Sequence, residues 1–200
     1  MHDVPYFDRF APIYDLVLPG TDSAPLEAGL SHATREVSCV LDLGGGTGRA
    51  ARALPDDSFV LDASLPMLFR ARGFDLETVR GDVRSLPLAD EVVDGAVIVD
   101  ALHHFPDPPR AIAEASRALR PGGALVIREF DPSTLRGRAL VWGEKLIGFA
   151  STFFTPADVE TLLRDAGLEP HVLERGFVHT VVGVKPGSGA SGRPESEGGR

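Results

Sequence analysis

Apolar and polar positions follow two rhythms along this chain, and the rhythm switches repeatedly. Val40–Leu43, Ser58–Asp62, Leu76–Arg80, Val92–Val99 and Ala124–Phe130 are short, mostly apolar runs. Runs of that length and character predict strands, and the near-unbroken Val92–Val99 predicts one buried on both faces. Between them the spacing turns helical. Residues 24–37 predict a helix leading into the first strand, and Arg49–Leu54 the start of another. A third spans Ala111–Leu119 and is stopped by Arg120-Pro121-Gly122-Gly123. Arg138–Phe149 has a wide apolar face, and Thr155-Pro156-Ala157-Asp158 opens a capped helix that ends at Asp165-Ala166-Gly167. Near the start, apolar side chains at 7, 10, 14 and 17 give one face over two short helical pieces, with Pro12 opening the second. Near the end, His171–Arg175 and Phe177–Val184 alternate around Gly176, as a closing antiparallel pair would.

Composition narrows the function classes. A chain of 200 residues predicts one domain, taken here as residues 1–185 with 1–37 as a helical cap. Residues 186–200 are Gly, Ser, Pro and charge, the composition of a disordered tail. The net charge of −9 speaks against gripping nucleic acid through its phosphates and against electrostatic docking on an anionic bilayer. Cys39 is the single cysteine, so no intrachain disulfide or multi-cysteine metal site is expected, and no metal is assigned. No apolar run approaches the ~20 residues of a membrane span, and Met1-His2-Asp3-Val4-Pro5 lacks the basic and apolar parts of a signal peptide. The expected location is cytoplasmic.

The chemistry concentrates in Val40-Leu41-Asp42-Leu43-Gly44-Gly45-Gly46-Thr47-Gly48, a strand, a carboxylate and a glycine turn. That order opens a nucleotide-binding α/β unit, and the glycines let a flat ligand lie against the main chain. Gly46 to Ala51 also fits the looser dinucleotide fingerprint. Asp42, however, stands two residues before Gly44, where a pyrophosphate would meet a carboxylate at short range. A ligand carrying an amine and a sulfonium suits that charge, which points to S-adenosylmethionine (SAM). No phosphate-cradling glycine-lysine loop is present. Asp62 ends the second strand 18 positions after Gly44, the place from which an acid accepts hydrogen bonds from both ribose hydroxyls.

The glycine turn resembles the first motif of class I SAM-dependent methyltransferases, and later matches resemble the broad group with the quinone-biosynthesis C-methyltransferases. The similarity spans roughly residues 4–184. It implies a doubly wound α/β fold with a seven-stranded, mostly parallel sheet and a C-terminal antiparallel strand. It also implies SAM as cofactor, held by Asp42, Gly44, Gly46, Gly48, Asp62, Ala63, Met67, Asp82, Val83 and Asp100. In the family the acid at Asp82 takes the adenine amino group, and the next backbone N–H, here of Val83, meets a ring nitrogen. Ala63-Ser64-Leu65-Pro66-Met67-Leu68 resembles a further motif whose Met pads the adenine. Asp100 would meet the methionyl amine through its carbonyl. Leu119-Arg120-Pro121-Gly122-Gly123 is typical of the same family.

Methyl transfer from a sulfonium needs a base only when the acceptor carries a proton that must leave. His103 and His104 follow the fourth strand and are the expected candidates. Tyr6, Tyr14 and Trp142 are expected to line the substrate side. The acceptor is expected to be a small, apolar molecule methylated at carbon or oxygen, with homodimerisation left open. An amine or polyketide acceptor, a non-catalytic SAM-binding module and a nicotinamide dehydrogenase are the alternatives.

Overall fold

The computed structural model describes residues 4–11, 21–55, 57–147 and 151–187. Six helices, α1 (Val4–Phe10), α2 (Ala24–Leu30), α3 (Leu65–Arg72), α4 (Pro108–Ala118), α5 (Leu135–Ile147) and α6 (Pro156–Asp165), surround a single sheet among these residues. Its strands are β1 (Val40–Leu43), β2 (Phe59–Asp62), β3 (Glu77–Arg80), β4 (Val93–Val99), β5 (Leu119–Phe130), β6 (Glu169–Glu174) and β7 (Val178–Val184). The order is β3-β2-β1-β4-β5-β7-β6. β1 to β5 pair in parallel, and β7 runs antiparallel between β5 and β6. The expected architecture is the one observed.

Side-chain alternation divides the core between the two faces. Leu41, Leu43, Ile98, Leu125 and Ile127 pack with Ile112 of α4 and Leu163 of α6. Val40, Val97, Val99 and Val126 pack with Leu26 and Leu30 of α2 on a separate cluster. Every residue of β4 is buried, as its apolar run requires of a central strand. α6 opens on a capping box: the Thr155 hydroxyl accepts from the Asp158 N–H, and the Asp158 carboxylate accepts from the Thr155 N–H.

Three helices differ from the sequence expectation. The helix expected over 24–37 ends at Leu30, because the N–H groups further on are engaged elsewhere. Thr34 donates to the Gly122 carbonyl, and Ser38 and Cys39 donate to the Asp94 carboxylate. The helix expected from Arg49 is a chain of turns with one 3-10 turn at Ala51–Ala53. Asp42 accepts the Ala51 N–H at 3.1 Å, and Leu54, extended ahead of Pro55, ends the segment. The helix expected to stop at Arg120 ends at Ala118. Residues 120–123 bulge between the Val93–Leu119 and Gly95–Ala124 pairs of the β4–β5 ladder. Tyr14, the second N-terminal helical piece and the tail from residue 188 lie outside the described residues.

Candidate functional site

The sheet order reverses direction between β1 and β4, and open α/β sheets bind ligands at the carboxyl ends of strands beside such a point. A pocket lies there, lined by Thr21, Asp42, Gly44, Gly46, Arg49 and Asp100 among others. The turn takes its shape from left-handed backbone at Gly44, Gly46 and Gly48. Gly46, at φ +56°, faces open space, with the Met67 sulfur as the nearest atom to an added Cβ. A Cβ on Gly48 would come within 2.2 Å of Leu76. The first leaves the main chain bare toward the pocket; the second lets the turn settle on the core.

The acids around this turn are unequal. Asp42 is 1% exposed, and its Oδ1 makes no hydrogen bond. Burial pushes its carboxyl up to about 7 against the Ala51 N–H, with Asp62 adding to the rise and Arg49 opposing it. Asp62 closes the turn from β2, accepting the Gly46 N–H at 3.0 Å and the Ser64 N–H at 2.8 Å. Burial raises its pKa and those two N–H groups oppose the rise. Asp100 leaves β4 in left-handed backbone, φ +50°, unusual for a residue with a Cβ, and pairs with Arg49 at 3.3 Å. Two carboxylates against one guanidinium give the pocket wall a net negative character.

The remaining expected residues do not line that pocket. Ala63 links β2 to α3, and Met67 is buried in α3 next to Gly46. Asp82 and Val83 form a tight turn after β3, where Arg84 clasps the Asp82 carboxylate at 2.6 Å and lowers its pKa. Tyr6 is 40% exposed on α1 and Trp142 is 67% exposed on α5, so the latter presents its ring to solvent. α1 is fastened to the site at two points. The Ser64 hydroxyl, which caps α3, donates to Asp8 at 2.5 Å, and the Phe7 ring meets His104 edge-on at 4.9 Å.

His103 and His104 occupy a 3-10 turn, Leu102–His104, beyond β4. His103 is 3% exposed. Its Nδ1 lies 2.6 Å from Glu129 and its Nε2 3.7 Å from Glu144, so both ring nitrogens face carboxylates. Burial lowers the His103 pKa, but the two glutamates outweigh it and the net direction is upward. Glu129, on β5, is buried and accepts the Ala101 and Leu102 N–H groups as well, at 2.8 and 2.6 Å. Burial alone would raise its pKa; His103 and those N–H groups bring it down. Glu129, Glu144 and Ser151 were not expected from sequence. An acid inside an apolar strand, as at Glu129 in Leu125–Phe130, is the one signal that pointed to any of them.

Comparison with known proteins places this geometry. Residues 41–127 match the family described as Methyltransferase domain. The demethylmenaquinone methyltransferase of Renibacterium salmoninarum is 36% identical over 156 residues, 70% of this chain and 64% of that protein. The malonyl-[acyl-carrier protein] O-methyltransferase of Methylococcus capsulatus is 35% identical over 80% of this chain and 64% of its own length. The chain thus spans just under two thirds of either relative. The crystal structure of a SAM-dependent methyltransferase from Thermotoga maritima, 26% identical, aligns with a TM-score of 0.76 over 92% of this chain and 100% of that one. The sheet order, the glycine turn and these matches agree: residues 41–127 carry a methyltransferase domain, and the chain is similar to SAM-dependent methyltransferases, quinone-biosynthesis enzymes among them.

Proposed function

We propose that this chain transfers a methyl group from SAM to a small, apolar acceptor at carbon or oxygen. The observation that carries the reading is the pocket wall of Asp42 and Asp100 over a bare glycine turn, with Asp42 Oδ1 buried and without a hydrogen bond. A cationic ligand suits that wall, and a diphosphate would be repelled. Asp62 would accept the ribose hydroxyls, since each of its oxygens keeps acceptor capacity beside its backbone donor. Asp82 and Val83 would meet the adenine edge, Asp82 sharing its charge with Arg84. Met67 would pad the ring, and Gly44, Gly46, Gly48 and Ala63 would bring backbone to the nucleoside. When bound, SAM supplies both the methyl group and its leaving group. The protein's part is to hold the acceptor in line, exclude water and offset charge.

Two relatives support this acceptor class, one named for demethylmenaquinone and one for malonyl-[acyl-carrier protein], while the Thermotoga structure, described as a possible histamine N-methyltransferase, supports an amine acceptor as the second reading. Both contain carbonyl-activated carbon or carboxyl oxygen, which favours C- or O-methylation over an amine acceptor. The test starts with calorimetry of SAM against NAD: SAM should bind and NAD should not. Asp62→Ala should weaken SAM by about 1–3 kcal/mol through lost charge-assisted hydrogen bonds. Methyl-labelled SAM incubated with cell extract should then put label into a low-molecular-weight, solvent-extractable product. NAD binding in place of SAM, or SAM binding without any labelled product, would overturn the reading.

A further inference from the structure

The carboxyl end of β4 carries a second group of side chains, which includes the two histidines expected as base candidates. His103, His104 and Glu144 each present one metal-ligating atom, and these three atoms lie within 4.8 Å of one another. Glu144 arrives on α5, forty positions from His104 in sequence. Ser151 binds both outer members: its hydroxyl lies 3.2 Å from His104 Nδ1 and also hydrogen-bonds Glu144. His103 is held from behind, where Glu129 takes Nδ1 and leaves Nε2 toward Glu144. A carboxylate behind an imidazole is the arrangement that fixes the tautomer and ring direction of a ligating histidine.

We propose that His103, His104 and Glu144 bind a divalent transition cation of the zinc class. Two imidazole nitrogens and one carboxylate oxygen match borderline ions better than calcium or magnesium, which take oxygen donors. Charge argues the same way. Glu129 and Glu144 bring two negative charges to two imidazoles in a largely buried place, and a dication offsets both at once. Ligands about 2.1 Å from zinc stand about 3.4 Å apart, so side-chain movements of about an ångström close the set. The ion would tie α5 to the end of β4. Its binding is measured without SAM, so it stands or falls separately from the proposed function.

The probe is Co²⁺, added to the chelator-treated full chain and followed by visible absorption and calorimetry, then displaced by Zn²⁺. One equivalent should bind at micromolar concentration or below, with the intense bands of four- or five-coordinate cobalt. Glu144→Gln and His104→Ala should each weaken binding at least tenfold. Glu129→Gln should weaken it by about 10–100-fold, as removal of a partner behind a ligand does. His32→Ala is the control, because His32 and His171 form another imidazole pair, with ring centroids 5.3 Å apart. Circular dichroism confirms that each variant is folded. The absence of saturable binding below millimolar overturns the proposal. Binding that survives Glu144→Gln and His104→Ala, or is lost in His32→Ala, overturns it as well.

Discussion

Asp42 combines three properties that rarely coincide: almost complete burial, an oxygen without a partner, and a place on the wall of the pocket. A carboxyl raised to about 7 is held neutral in half of the molecules near neutral pH. A cation in the pocket favours the ionised form, pulls the pKa down and expels the proton. SAM affinity is therefore expected to rise as pH climbs from 5 toward 7, with proton release largest in that window. Calorimetry in two buffers of different ionisation enthalpy measures the release directly. Asp42→Asn should abolish it, and an unchanged proton count would remove Asp42 from the binding event. The same residue shows how much of the site was legible. Asp42, Gly46 and Asp62 stand near one another because strand, turn and strand fix their spacing locally. Glu129 and Glu144 reach the histidines only through the β4–β5 pairing and the docking of α5, which no local pattern records.

Among the elements, helix ends were legible where side chains set them and obscure where tertiary contacts did. Thr155-Pro156-Ala157-Asp158 carries its own start signal, and the observed capping box follows from those residues alone. Thr155→Ala should cost about 1 kcal/mol and lower the melting temperature by about 2–4 °C, as read by a thermal scan of the folded chain. The helix expected over 24–37 stops early because Thr34 donates to the Gly122 carbonyl and Ser38 and Cys39 to Asp94, contacts that local propensity does not record. α5 illustrates the opposite case. The apolar residues expected over 138–149 suggested either core or cavity wall, yet Trp142 and Leu146 are each two-thirds exposed.

Across the whole molecule, Asp94 connects parts distant in sequence. Its carboxylate accepts from Ser38 and Cys39 ahead of β1 and pairs with Arg35 at 2.9 Å and Arg120 at 2.8 Å. Burial would raise its pKa, but Arg120 and the Ser38 and Cys39 donors prevail and hold it at about 2. The stabilisation is present above the unfolded value near 3.8 and is lost as pH falls toward 2. Asp94→Asn should lower stability by roughly 2–3 kcal/mol at pH 7 in urea titration. The gap between the two proteins should close by pH 2, and a gap independent of pH would refute the linkage. The doubly wound sheet was legible at this scale because alternating strands and helices admit few arrangements. The Asp94 junction was not, since an acid next to Gly95 in a strand looks like any other interruption.

The direction of β7 carries a practical corollary. Its last residue, Val184, pairs with Ala124 at the start of the parallel stretch of β5, so the chain leaves the sheet on the amino edge, opposite the ligand pocket. The first helix instead leans on the turn after β2 through Asp8 and Ser64. A purification handle or surface anchor attached at Gly187 therefore starts from the side of the sheet opposite the pocket, whereas one at Val4 joins the helix that touches Ser64 and His104.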